Sequence, residues 1–474
     1  MLSEIIAFAA AVYMLSAVIA NSHKARADLQ RVGSKPGPFS LRTWWARWNW
    51  YKHGHKDVQR RYEESKDSNY ITQTMMGDTV VLAPKFLSEL NMLPESMLSS
   101  TAALVDSVMG HVTGVDLLLR DHLSHDICRG PLRKNLPAFL PRMAEELQKS
   151  LVQDLEEDAA KVFVGETYYQ DETWKTALNA LPTNVEITKL ILLPFPPFLR
   201  RYIAPMIPQR NRIFRQRAAV RDVLFPRSEE DATNDELSVM RLFLDSGKDM
   251  DPESITARLL LLTAAALHTS SMAITHAIFD LCAMPQYAEP LRSEAQAALA
   301  QDDGQWKLST IHRLRRLDSF LKESQRFNHS TFLGFDRKVI SPIELSDKTI
   351  LQPGTTIAIP GGPMSLDPAY YDHARDFDAF RFYRPEEGDT ASVNTQQDYT
   401  GIEPGNLSWG NGRFTCPGRW YASAMIKLIM ANLLLSYDIS FPDGQNTRPP
   451  NVKYDTERIP DFSQKIVLRR RGSW

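Results

Sequence analysis

The chain has 474 residues, 43% apolar and 24% charged, with 55 Lys and Arg against 57 Asp and Glu. This balance excludes a largely disordered, collagen-like or polytopic membrane protein, and a net charge of −2 gives no sign of a nucleic-acid partner. Three cysteines, Cys128, Cys282 and Cys416, occur without any C-x-x-C, which argues against a disulfide framework and a structural zinc cluster.

From Ile5 to Ser22 there is no charged residue. As a helix that stretch rises about 27 Å, close to the roughly 30 Å of a hydrocarbon core. Glu4 precedes it, and Lys24, Arg26, Arg31 and Lys35 follow, the reverse of a signal peptide's charge order. The pattern predicts an uncleaved single-pass anchor over 1–22 with the body on the cytosolic side, a signal peptide cleaved after Ala20 being the alternative. Residues 23–40, with Lys35-Pro36-Gly37-Pro38, read as a basic, proline-rich hinge, and 41–474 as the catalytic body. Trp44, Trp45, Trp48 and Trp50 suit either a segment floating at the lipid headgroups or an aromatic first core helix.

Asn69 to Leu82 reads as a hairpin turning at Gly77-Asp78. Helical periodicity follows from Pro141 to Val220, interrupted by a Pro-rich apolar stretch from Leu193 to Pro208. Seven arginines between Arg200 and Arg221, with no acid among them, suit a second contact with an anionic membrane or a solvated basic face. Asp251-Pro252-Glu253 is a helix start, and the pattern runs to Met284 before Pro285. That helix is long enough to span a membrane, but Thr263, His268, Thr269, Ser270, Ser271, Thr275 and His276 point to a buried central helix lining a pocket. After Phe327 come short strand-like runs at 337–340, 349–351 and 355–359. A Gly/Pro-rich coil covers 401–418, a helix 420–437 and a last strand 465–468. The expected fold is mainly α with a small β portion.

The segment Trp409-Gly410-Asn411-Gly412-Arg413-Phe414-Thr415-Cys416-Pro417-Gly418 carries the chemistry. Its glycines permit a tight turn and close approach to something flat. Cys416 stands just before a helix, whose N-terminal amides favour a thiolate. Such a thiolate serves as a nucleophile or as a metal ligand. As sole protein ligand it suits haem, whose porphyrin supplies four donors.

This segment resembles the haem-binding signature of the cytochromes P-450, in their fungal microsomal branch. By that resemblance Cys416 is the axial ligand of haem b, Trp409 the signature aromatic, and Gly410, Arg413 and Gly418 line the cofactor. The family commonly has arginine two residues before the cysteine; here that position is Phe414. Glu323-Ser324-Gln325-Arg326, with Arg381 further on, resembles the Glu-Arg pair and second arginine that lock the fold behind the haem. Glu289 and Arg292 have the same spacing, so order along the chain carries the assignment. Ala265, His268 and Thr269 match the oxygen-activation segment, with His268 where an acid is usual; a satisfied core histidine is the bland reading. Arg129 and Arg337 match propionate-binding positions, or are surface charges.

The resemblance implies a cytochrome P-450 fold and a monooxygenase taking O2 and electrons from an NADPH-dependent flavoprotein reductase. It implies a single-pass protein of the endoplasmic reticulum membrane, in contact with lipid. The substrate is expected to be a hydrophobic terpenoid or meroterpenoid of fungal secondary metabolite biosynthesis. Two rivals stand: a same-fold enzyme of rearrangement or dehydration, and a non-enzymatic membrane haem carrier or sensor.

Overall fold

The computed structural model describes residues 29–32, 41–150, 163–164, 168, 170–195, 197–225, 238–247, 251–384, 398–442 and 444–472. The expected anchor over 1–22 lies outside the described residues.

One six-stranded sheet gathers β1 (Gln30–Val32), β2 (Tyr70–Gln73), β3 (Asp78–Val81), β4 (Leu98–Ser99), β5 (Gly334–Val339) and β8 (Thr356–Ile359), in the order β1-β2-β3-β8-β5-β4. The expected hairpin is β2–β3, with Tyr70 opposite Val81. The strand-like run at 349–351 forms β7 (Ile350–Leu351), paired with β6 (Ile343–Glu344). Strand β3 runs parallel to β8, which joins the early hairpin to the late strands. Within the stretch read as a hinge, β1 pairs parallel with β2 and Arg31 bonds Asp78, so that stretch is not all hinge. Its alternation is too short to register as a strand; pairing to β2 is what orders it. The register of β5 shifts between Gly334 and Arg337, where Phe335 adopts φ +56°. A bulge of this kind re-aims the side chain that follows it, here Arg337.

The helical part contains α1 (Leu41–Glu64), α2 (Leu123–Ile127), α3 (Glu172–Leu192), α4 (Pro208–Leu224), α5 (Pro252–Ala283), α6 (Ala288–Ala300), α7 (Arg315–Phe327) and α8 (Arg419–Ser436). Asp251 caps α5 by accepting from the Ser254 amide at 2.9 Å, and Pro252 opens its first turn. At 32 residues, α5 is about 48 Å long. By length and composition it could cross a membrane. Instead it packs against α3, α4, α7 and α8, and Leu259, Ala277 and Leu281 enter the main core with Leu317, Phe320 and Leu428. This is the central helix that its polar residues predicted.

The tryptophans of α1 divide. Trp50 is buried and donates to Asp455 at 2.7 Å, whereas Trp45 and Trp48 are exposed. The arginines of α4 divide too. Arg217 and Arg221 pair with Glu253 at the start of α5, and Arg210 donates to the Val112 carbonyl at 3.2 Å. Part of the basic run therefore ties α4 inward, which spacing alone could not show.

Candidate active site

The loop before α8 is closed by its own backbone. The Cys416 amide donates to the Trp409 carbonyl at 2.7 Å, and the Gly410 amide to the Leu407 carbonyl at 2.8 Å. Gly410 and Gly412 sit at φ +77° and +70°, the left-handed region that other residues enter at a cost. A Cβ on Gly412 would also collide with Asn91. Trp409 packs edge-on against Tyr399 and donates from Nε1 to its carbonyl at 2.6 Å. That carbonyl stays in place because the Tyr399 amide is held by Asp318, which Lys427 neutralises at 2.6 Å.

Cys416 is half-buried, unlike the buried Cys128 and Cys282, whose thiols burial pushes up to about 12. Burial also raises the Cys416 thiol. The amides of Gly418 and Arg419 and the Arg419 guanidinium pull it back toward thiolate. The expected helix-start effect is thus present and outweighed by desolvation.

Glu323, Arg326 and Arg381 meet in one buried cluster. Arg326 donates to both Glu323 oxygens at 2.7 Å, and both side chains are fully buried. Arg381 Nε reaches both oxygens at 3.2 Å, and the Asp378 amide adds a bond of 3.0 Å. The other Arg326 nitrogen, Nη1, holds the carbonyls of Ser365 and Ala374 at 2.6 and 2.7 Å.

Ala265, His268 and Thr269 lie on the mid-part of α5 and line a cavity of about 240 Å³. Thr269 Oγ1 donates to the Ala265 carbonyl at 2.8 Å. His268 is exposed to this space, which removes its reading as a satisfied core histidine; the buried histidine of the helix is His276, two turns on, whose Nδ1 meets Arg448 at 2.8 Å while its Nε2 is buried with no hydrogen-bond partner among the described residues. Burial and the nearby Arg448 and Arg458 hold His276 near pKa 3, so it stays neutral. Most of the rest of the cavity is aliphatic or small, including Val115, Leu181, Val185, Leu260 and Ala264, with Gln216 and Arg217 as polar exceptions, and among the described residues no Phe, Tyr or Trp lines it.

The cationic residues expected near the cofactor are not alike. Arg337 is buried, donates to the Asp336 carbonyl at 2.9 Å and stands 5.9 Å from the Phe414 ring centre. Burial brings its pKa down to about 10, and it forms no ion pair among the described residues. Its reading as a surface charge therefore falls. Arg129 and Arg413 are exposed. Arg129 sits in a π-helical turn, Cys128–Leu132. Sequence reasoning passed over His125, one turn before Arg129, and over Arg419. The i, i+4 spacing of His125 and Arg129 was the available signal.

A family model of cytochrome P450 matches residues 159–459. An ent-kaurene oxidase of Gibberella intermedia is 32% identical over 459 residues, covering 91% of this chain and 86% of the relative. A cytochrome P450 monooxygenase of Emericella nidulans, AN1598, is 30% identical, covering 99% and 92%. The solved structure of cyanobacterial CYP120A1 with retinoic acid bound superimposes with a TM-score of 0.64 at 18% identity, covering 90% of this chain and 96% of that one, a likeness of fold.

Proposed function

The chain belongs to the cytochrome P450 family and is a haem-thiolate monooxygenase, and from that premise we propose that Cys416 is its axial ligand and a terpenoid its substrate. Haem held by a cysteine thiolate supplies iron whose electron-rich ligand favours O–O cleavage. The residues present fit that group. The loop carries a half-buried thiol, and beside it Arg337 offers a buried cation that feels Glu95 and Asp336 but forms no direct ion pair among the described residues.

The observation that carries the substrate reading is the aliphatic cavity ending at Ala265, His268 and Thr269. Its walls are mostly Leu, Val, Ile and Ala, which favour a bulky saturated skeleton, with Gln216 and Arg217 as the polar exceptions, and no Phe, Tyr or Trp among the described residues offers a stacking surface to a planar aromatic. Ent-kaurene, named for the Gibberella intermedia relative, is a diterpene hydrocarbon of that kind. On α5, Thr269 donates its hydroxyl hydrogen to the Ala265 carbonyl and keeps its lone pairs free to accept from a water, so it would hold and orient a water that relays protons. His268, about 100° round the helix, lines the same cavity and serves that relay through water.

Residues 1–22 are read as the single-pass anchor in the endoplasmic reticulum membrane and 41–474 as the cytosolic catalytic body. Electrons come from an NADPH-dependent flavoprotein reductase. The exposed Trp45, Trp48, Phe198, Tyr202 and Met206 support contact of the body with lipid. Arg47 of α1 bonds the Leu193 carbonyl at 3.3 Å, which ties the tryptophan-bearing helix to the end of α3.

The test is co-expression with the reductase and incubation with a panel of terpenoid precursors under labelled dioxygen. NADPH-dependent product carrying one labelled oxygen supports the reading. An isomerised or dehydrated product formed without NADPH would replace it by the rearrangement reading. Thr269→Ala is expected to keep substrate binding while product per NADPH falls severalfold and hydrogen peroxide rises.

A further inference from the structure

Five polar side chains line the otherwise aliphatic cavity: Thr113, Gln216, Arg217, His268 and Thr269. They fall into two groups along α5. The lining residues of that helix run from Ala257 to Thr269, a rise of about 18 Å, with His268 and Thr269 at one end. Arg217 is held at the other end, because its Nε donates at 2.5 Å to Glu253, one turn before Ala257. Gln216, its neighbour on α4, belongs to that far end. Two members of the far group are already engaged by the protein. Thr113 Oγ1 donates to the carbonyls of Val108 and Met109, at 3.1 and 3.3 Å. Arg217 is neutralised by Glu253, and its Nη1 donates to the Gly114 carbonyl at 3.4 Å. Gln216 is different. Its side-chain oxygen accepts from Nδ2 of the buried Asn184 on α3 at 3.4 Å, and its amide nitrogen has no hydrogen-bond partner among the described residues.

We propose that Gln216 is a specificity residue that binds a hydroxyl of the terpenoid substrate, at the end of the cavity away from Thr269. The proposal rests on the terpenoid reading above and narrows it: the substrate is a terpenoid alcohol, not a bare hydrocarbon. A hydrocarbon filling the cavity displaces water from the Gln216 amide and offers no acceptor in return, which is unfavourable. A hydroxyl oxygen accepts from Nε2, and the bond from Asn184 turns the NH2 end of the amide toward the cavity. A carboxylate does not suit this end. Glu253 already neutralises the Arg217 guanidinium, and a second acid there would meet like charge. With its hydroxyl at Gln216, the substrate lays the opposite end of its skeleton against Ala265 and Thr269, and the carbon there is the one oxidised. The reaction that supplies such a substrate is one that places a hydroxyl on a terpene skeleton.

The experiment titrates the purified full-length holoprotein with matched terpene pairs, each a hydrocarbon and its monohydroxylated counterpart on the same skeleton, beginning with ent-kaurene and ent-kauranol. Binding is read from the shift of the haem absorbance band in the wild type, Gln216→Leu and Gln216→Met. The wild type should bind the alcohol of its best pair about ten- to a hundredfold more tightly than the hydrocarbon. Both substitutions remove the donor while keeping much of the side chain's bulk. They should abolish the preference, weakening the alcohol and tightening the hydrocarbon, whereas a merely structural role would weaken both alike. Turnover of the alcohol with the reductase should place the new oxygen at the end of the skeleton opposite the hydroxyl. Equal affinity within every pair in the wild type, a preference unchanged in the variants, or new oxygen beside the hydroxyl overturns the proposal. If Gln216→Leu gives no holoprotein, Gln216→Met decides; if neither does, the wild-type preference and the position of the new oxygen decide. A holoprotein whose band shifts with no member of any pair overturns the terpenoid reading itself, and this proposal with it.

Discussion

Two Glu–Arg pairs with identical i, i+3 spacing sit on α6 and α7, and they do different work. Glu289 leaves its carboxylate 65% exposed, and Arg292 also holds the Leu434 carbonyl at 2.7 Å and Asp438 at 2.9 Å. Glu323 and Arg326 are fully buried, and every bond to the Glu323 carboxylate comes from protein: Arg326, Arg381 and the Asp378 amide. A pair that water can replace contributes little, whereas one that water cannot reach must be complete or absent. The lesson is that the surroundings, supplied by residues 55 and 58 positions downstream, convert a common helix pattern into a lock.

Breaking the lock gives the largest effect. Glu323→Ala should cost about 3–5 kcal/mol, of the order of a domain's whole margin, so little folded holoprotein is expected. Its check is the yield of haem-loaded protein per total chain. Arg381→Ala removes the second cation but leaves Arg326 in place. A loss of about 1.5–3 kcal/mol is expected, read as a lowered thermal midpoint of soluble holoprotein. Glu289→Ala should change that midpoint least, by under about 1 kcal/mol, because Arg292 keeps Asp438 and the Leu434 carbonyl. Equal losses for Glu323→Ala and Glu289→Ala would erase the distinction between the two pairs.

The features legible in the sequence are those written in short range. The capped start of α5, the β2–β3 hairpin and the glycines of the Cys416 loop each depend on backbone rules acting over a few residues. The Glu323–Arg326–Arg381 cluster was found because its order along the chain resembles a known family, not because spacing singles it out. What stayed hidden depends on partners far away. His125 and Phe414 are 289 positions apart, and their contact follows from how α2 is laid against the loop. The burial of Arg337 follows from a bulge in β5, which no charge pattern announces. The division of the α1 tryptophans depends on Asp455, which takes Trp50 inward and leaves its neighbours outside.

The central claim is that Cys416, among three cysteines, carries the haem iron. Its most direct test is the reduced carbonyl spectrum of Cys416→Ala beside those of Cys128→Ser and Cys282→Ser, each in folded protein. The thiolate band should vanish in Cys416→Ala and persist in the other two, whose buried thiols titrate near 12 and lie outside the glycine loop. A thiolate band that survives in Cys416→Ala and disappears in Cys128→Ser or Cys282→Ser would contradict the assignment.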